Sequence, residues 1–171
     1  MTNTIPYVVI AHTGEVEIRK YPEMILATVS GGTEEELFSI LYGYISGKNR
    51  TGMHIPMTAP VITGVKIPMT TPAISSENTM SFVMPKTYEE GFLPVPFDSR
   101  VSLQTLAERK VAVLRFSGIV HAHTVQEMAD RLFAFLSQEK IPMASSPFLM
   151  RYNSPWTPGF LRRNEVGIEV L

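Results

Sequence analysis

One stretch of this chain is written twice, and that repeat constrains the fold more than any other feature. Val16–Gly31 reads VEIRKYPEMILATVSG and Val101–Gly118 reads VSLQTLAERKVAVLRFSG. Each copy predicts a strand, a short turn and a second strand closed by Ser-Gly. Val16 and Ile18 share one face, as do Val101 and Leu103, with polar residues between them, the period of a half-buried strand. By the same alternation Glu17 points outward. The second strands, Met24–Val29 and Val111–Phe116, are apolar and β-branched, as buried strands are.

A helix follows in each half. Thr33-Glu-Glu-Glu36 and Thr124-Val-Gln-Glu127 both read as capping boxes, in which the threonine hydroxyl takes an orphan amide and the glutamate reaches back to the cap's own N–H. Helix one is predicted to run to about Ser46 with Gly47 as its C-cap, and helix two to about Lys140, ahead of Pro142. Late strands are expected at Met80–Met84, Phe148–Tyr152 and Val166–Val170. The sum is a mostly antiparallel sheet with two helices related by a pseudo-twofold, an α+β arrangement. At 171 residues the expected organisation is one domain spanning 1–171.

A shorter repeat lies between the halves: HIPMTAPVITGV (54–65) is followed by KIPMTTPAISSE (66–77). Proline this frequent is excluded from central ladder positions, so these segments read as edge-like or bulged, forming a decorating hairpin.

The two helices differ. Helix two carries one conventional apolar stripe. In helix one, Leu37, Phe38, Ile40, Leu41, Tyr42, Tyr44 and Ile45 cover ~200° of the wheel, wider than packing on a sheet requires. Loops, an added hairpin or a second copy would cover the surplus, or the face is open to a ligand, with Phe38 and Tyr42 at its edge.

Chemistry is sparse. There is no cysteine, which excludes disulfides, thiolate metal sites and covalent c-type haem attachment. Fifteen basic against sixteen acidic residues leave a net charge of −1, with no footprint for nucleic acid or an anionic membrane. The N-terminus lacks a basic n-region and no apolar run approaches membrane-span length, so a cytoplasmic location is expected. No nucleotide-binding, nucleophile-elbow or zinc-protease motif occurs. His121 and His123 form an H-x-H pair with no third ligand nearby in sequence, and His54 is a weak candidate iron ligand. Asp98, Glu89 and Glu90 form no acid–base pair. The ten methionines mainly fill irregular cores, although Met53 and Met57 also suit a flat polarisable ligand. Trp156 stands alone of its type in a proline-rigidified loop ahead of Arg162 and Arg163. Those guanidiniums suit a carboxylate clamp, with an internal pairing to Glu165 as the alternative, more so for Arg163.

The strings VEIRKYPEMILATV, GKNRTGMHIPMTAPVI with its second copy KIPMTTPAI, SFVMPKTY, VAVLRFSG and RYNSPWTPGFLRRNEVGIEV together resemble the SOUL haem-binding protein family, in its prokaryotic form, from about Val16 to Val170. The resemblance implies a distorted antiparallel β-barrel flanked by two helices. It also implies non-covalent binding of haem b or a related porphyrin in an apolar groove along helix one, for buffering, transport or sensing rather than turnover. Carried onto this chain, the groove takes Leu37, Phe38, Leu41, Tyr42, Ile45 and Met57, facing the loop of Trp156 and Arg162, with Arg162 meeting a propionate. Some members have histidine between the Arg and Tyr of the first strand, where this chain has Lys20. Binding is therefore expected to be modest and similar for metal-free porphyrin. Tryptophan often follows Asn-Glu-Val in members, where Gly167 stands here. The expected state is a monomer or weak homodimer. Paired strand–strand–helix halves also resemble the GyrI-like domains, which hold small amphipathic molecules in a cleft and in some cases hydrolyse them. That alternative needs a buried acid of raised pKa, such as Glu17 or Glu23. A protein-interaction module using helix one is the third reading.

Overall fold

The chain is described by a computed structural model over residues 3–64, 78–86, 93–153 and 156–171. The predicted strands form at β3 (Val16–Tyr21), β4 (Met24–Ser30), β6 (Thr79–Val83), β7 (Ser102–Leu106), β8 (Arg109–Ser117), β9 (Phe148–Arg151) and β10 (Arg163–Val170). Three more strands join them: β1 (Asn3–Thr4), β2 (Val8–Thr13) and β5 (Thr58–Gly64). The helices are α1 (Glu34–Ile45) and α2 (Ala122–Gln138).

The sheet order is β2-β3-β8-β10-β9-β5-β6-β4-β7, every neighbouring pair antiparallel, with β1 added in parallel beside β5. The repeated halves exchange strands. The first strand of each pairs with the second strand of the other, β3 with β8 and β4 with β7. This topology forces the sheet to curl. Only Pro22 and Glu23 separate β3 from β4, a reach of at most about 11 Å. In a flat sheet those strands would lie six spacings apart, about 29 Å. Ala107 and Glu108 impose the same closure between β7 and β8. The result is an α+β half-barrel.

Alternation along the strands then builds two faces. The inner face gathers Tyr21, Met24, Leu26, Val83, Val111, Val113, Phe148 and Met150, with Ile5 seated among them. On the outer face α2 packs Val125, Ala129, Leu132 and Leu136 against β8, β9 and β10. There α1 packs Leu37, Leu41, Tyr44 and Ile45 against β4 and β6.

Several expectations need correction. Helix two begins at Ala122 with His121 as N-cap and no side-chain capping bond, so Thr124 lies inside the first turn and its capping box does not form. The amide of Val125 already donates to the His121 carbonyl (3.0 Å), one turn earlier than the box requires. Helix two also ends at Gln138, with Lys140 in the left-handed conformation (φ 57°). The first copy of the Ile-Pro-Met-Thr repeat does not decorate the sheet: β5 lies between β6 and β9, well inside it. A register break between Thr58 and Val61 accommodates Pro60, the bulged rather than the edge solution to a missing donor. The second copy and the hairpin expected from it, with Met69, Glu89 and Glu90, lie outside the described residues. Glu17 is on the inner face, half-buried beside Arg19, because Val16 and Ile18 take the outer face under α2.

Candidate functional site

Helix one is held at both ends by local chemistry. Its N-terminus carries the expected capping box: the Glu36 amide donates to Thr33 Oγ1 (3.2 Å), and the Thr33 amide donates to Glu36 Oε2 (3.0 Å). At the C-terminus the Lys48 amide donates to the Gly43 carbonyl (2.9 Å) and that of Gly47 to Tyr44 (3.4 Å), a Schellman turn. Gly47 sits at φ 114°, which a Cβ would oppose.

Buried Asn49 organises the chain beyond. Its amide donates to the Tyr44 and Met53 carbonyls (3.0 and 2.8 Å), and its oxygen accepts from the Thr51 and Met53 amides (3.3 and 3.1 Å). The turn sends Met53–Met57 back along the helix, where the Ile55 amide donates to the Ile45 carbonyl (2.7 Å). Tyr44 donates its hydroxyl to the Pro94 carbonyl (2.7 Å), and burial pushes its pKa up to about 12. Ile55 and Leu93 therefore cover much of the surplus apolar surface of helix one from within the chain.

What stays accessible is a narrow aromatic flank. Leu37, Leu41 and Ile45, the other helix-one residues expected in the groove, are buried against the sheet. Phe38 packs edge-on against Phe82 (centroids 5.4 Å apart) and stacks on Tyr42 at 5.9 Å with planes 15° apart. Tyr42 is 51% exposed. Met57 is partly buried against the same core, and His54 is exposed. Trp156 and Arg162 belong elsewhere in sequence, to the β9–β10 connection. Trp156 is 92% exposed, and Arg162 donates through Nε to the Thr157 carbonyl (2.8 Å). This connection packs at the β8–α2 corner, where Gly159 lies so close to Ile119 that a Cβ would meet it at 2.9 Å. The His121 and His123 rings stack at 5.5 Å, and no group of three metal-ligating side chains occurs among the described residues.

The inner face holds a polar cluster that sequence reading missed, apart from the Arg163–Glu165 pairing. Glu165 is 0% exposed and accepts two bonds from Arg19 (2.7 and 2.8 Å) and two from Arg163 (2.8 and 3.1 Å). Arg19, 2% exposed, also donates to Glu17 (2.7 Å) and to the Tyr21 hydroxyl (3.0 Å), and it lies 4.1 Å above the Tyr7 ring. Arg163 donates to the Tyr7 hydroxyl (3.0 Å) and covers the Tyr152 ring. Burial pushes the Glu165 pKa up, but the two guanidiniums together outweigh it and hold the carboxyl below its ordinary range. The sequence placed Arg19 on the polar period of its strand with Glu17, a signal of exposure rather than burial. Its partner, 146 positions away, left none.

Comparison with known proteins agrees with this architecture. A family model described as SOUL heme-binding protein matches residues 2–169. Heme-binding protein 2 of Homo sapiens is 36% identical over 120 residues, 69% of this chain and 57% of the human protein. Heme-binding protein 2 of Mus musculus is 34% identical over 143 residues, 77% and 67% of the two chains. The match thus spans little more than half the human relative's length. The C-terminal domain of EcmrR superposes with a TM-score of 0.65 at 10% identity, covering 91% of this chain and 96% of that one. A hydrolase from Listeria innocua gives 0.58 at 16%, covering 95% and 94%. At such identities the likeness is one of fold. The matched length and the agreement with the mammalian sequences together place this chain in the SOUL heme-binding protein family.

Proposed function

We propose that the chain holds haem b or a related porphyrin non-covalently on the flank of helix one, for buffering, transport or sensing in the cytoplasm. Family membership supports the ligand class, and the solvent-facing Phe38–Tyr42 stack is the observation that carries the location. Tyr42 and Phe38 meet the macrocycle, held from beneath by buried Leu41 and Ile45. Met57 adds a polarisable edge, and a propionate reaching the β9–β10 connection would meet Arg162 beside Trp156. His54, exposed beyond the helix, is the candidate iron ligand. Binding rather than turnover fits the one fully buried carboxylate among the described residues. Glu165 is paired twice over and held ionised, which suits neither a general acid nor a free base. The protein acts as a monomer or weak homodimer.

A Soret-region titration with haemin, beside fluorescence titration with metal-free protoporphyrin, tests this. Both ligands are expected to saturate with one site and similar affinity. Tyr42→Asp should weaken both by about tenfold or more, and Arg162→Ala by about threefold to tenfold. Absence of saturation by either ligand, or indifference to Tyr42→Asp, rejects the site. Haemin binding without porphyrin binding moves the contact to an iron ligand, with His54→Ala as its check.

A further inference from the structure

A cavity of about 530 Å³ lies on the outer face between the N-terminal halves of the two helices, away from the Phe38–Tyr42 flank. Its walls are mostly apolar: Leu37 of α1, Val120 and Val125 around the start of α2, and Met80 and Leu149 from the sheet. That volume is within the usual range for a small-molecule site. One cation enters it. Arg151, at the end of β9, faces outward because Met150 and Tyr152 take the inner side. Its backbone is fixed by pairing on both sides, to Val61 and to Asn164. A terminal nitrogen of the guanidinium reaches the Glu34 carboxylate, whereas Nε is buried with no hydrogen-bond partner. Arg151 presents a planar fork of donors, and a ligand carboxylate reaching its terminal nitrogens competes with Glu34 for them. The wall on the α2 side adds to the attraction. His121 supplies no side-chain cap and the first turn of α2 carries no acid, so its orphan amides and positive dipole end adjoin Val120 and Ala122.

We propose that this cavity binds an apolar molecule bearing a carboxylate. The carboxylate accepts from Arg151 in competition with Glu34, and the apolar body lies along Leu37, Val125 and Leu149. A fatty acid and the propionate edge of a tetrapyrrole share this chemistry. Neither Phe38 nor Tyr42 lines the cavity, although Leu37 of the same helix does.

The test is fluorescence titration of the full chain with cis-parinaric acid and with its methyl ester. The acid is expected to saturate and the ester to bind about tenfold more weakly or not at all. Arg151→Met should weaken the acid by about tenfold, and Thr63→Trp, which fills the cavity from β5, should abolish binding. Glu34→Gln should tighten it by about threefold or more, because it frees the guanidinium, an outcome that mere loss of a stabilising ion pair does not produce. Far-UV circular dichroism confirms that each variant is folded. Displacement of parinaric acid by protoporphyrin identifies a tetrapyrrole as a source of the carboxylate, and failure to displace it leaves the fatty acid; either supports the site. Equal binding of acid and ester, or indifference to both Arg151→Met and Thr63→Trp, overturns it. Tyr42→Asp keeps the two sites distinguishable, since it should weaken haemin and leave parinaric acid unaffected.

Discussion

Glu165 and Arg19 show what a single buried pair does to this barrel. Removing one partner of such a pair leaves the other charge uncompensated, at a cost of about 3–5 kcal/mol. Glu165→Gln should therefore lower stability by about that amount, measured by urea unfolding at neutral pH. The pH dependence has a definite sign. The folded pKa lies below the ordinary value, so the folded state binds fewer protons than the unfolded state through the acid range. The stabilisation is complete above the unfolded-state pKa, about 4.3, and is lost as pH falls through the lower folded value. Wild-type stability should thus drop steeply on acidification, and Glu165→Gln should flatten that drop. Parallel acid profiles for the two proteins would sink the assignment. Gly167, on the same strand and face, explains a different departure. Where other members often carry tryptophan, a Cβ here would meet the Phe148 ring at 2.8 Å, so aromatic bulk comes from the neighbouring strand instead. Only the local Arg163–Glu165 pairing was legible in sequence, because Arg19 with Glu165 and Gly167 with Phe148 meet only after the strands are ordered.

Among the elements, helix one was the most legible and helix two the less so, for a local reason. Thr33 and Glu36 satisfy each other within four residues, so the motif and the structure coincide. Thr124 and Glu127 have the same spacing, yet the chain enters α2 earlier, from the turn at Gly118 (φ 108°). The contrast is measurable. Thr33→Ala should cost about 1 kcal/mol, whereas Thr124→Ala, inside a helix, should change stability by no more than about 0.5 kcal/mol. Equal losses from the two substitutions in thermal or urea unfolding would show that the second box forms in solution. Strands were less legible than helices where burial gave no alternation. β2 is exposed along its whole length, an edge strand with a bulge between Val9 and Ala11, and its sequence reads only as an apolar run. Proline made β5 edge-like or bulged in prospect, and the bulge let it into the sheet. The surplus apolar arc of helix one was legible as a surplus. Its division between Ile55 and Leu93 as cover and Tyr42 as open surface depends on where the Asn49 turn returns the chain.

At the scale of the whole molecule, the duplication predicted two halves, and the strand exchange ties them into one sheet. The outer core under α1 and the outer core under α2 share no helix, and each would look like the centre of a separable unit. Yet β3 of the first half is paired to β8 of the second, β4 to β7, and the inner core draws on both. Unfolding either half exposes the inner core of the other and breaks every pairing between them, β5 with β9 included. Leu132→Ala beneath α2 and Leu41→Ala beneath α1 should each cost about 2–5 kcal/mol, both side chains being fully buried. Each should shift one shared transition, not one half of a biphasic curve. Far-UV and near-UV circular dichroism followed through urea unfolding should coincide in wild type and in both variants. A second transition that responds to Leu41→Ala but not to Leu132→Ala would mean that the first half unfolds alone. The exchanged strands would then be too weak to couple the helix-one flank to the Arg151 cavity. Coincident curves would mean that a ligand at either site stabilises the whole barrel, so that thermal shift reports occupancy of both.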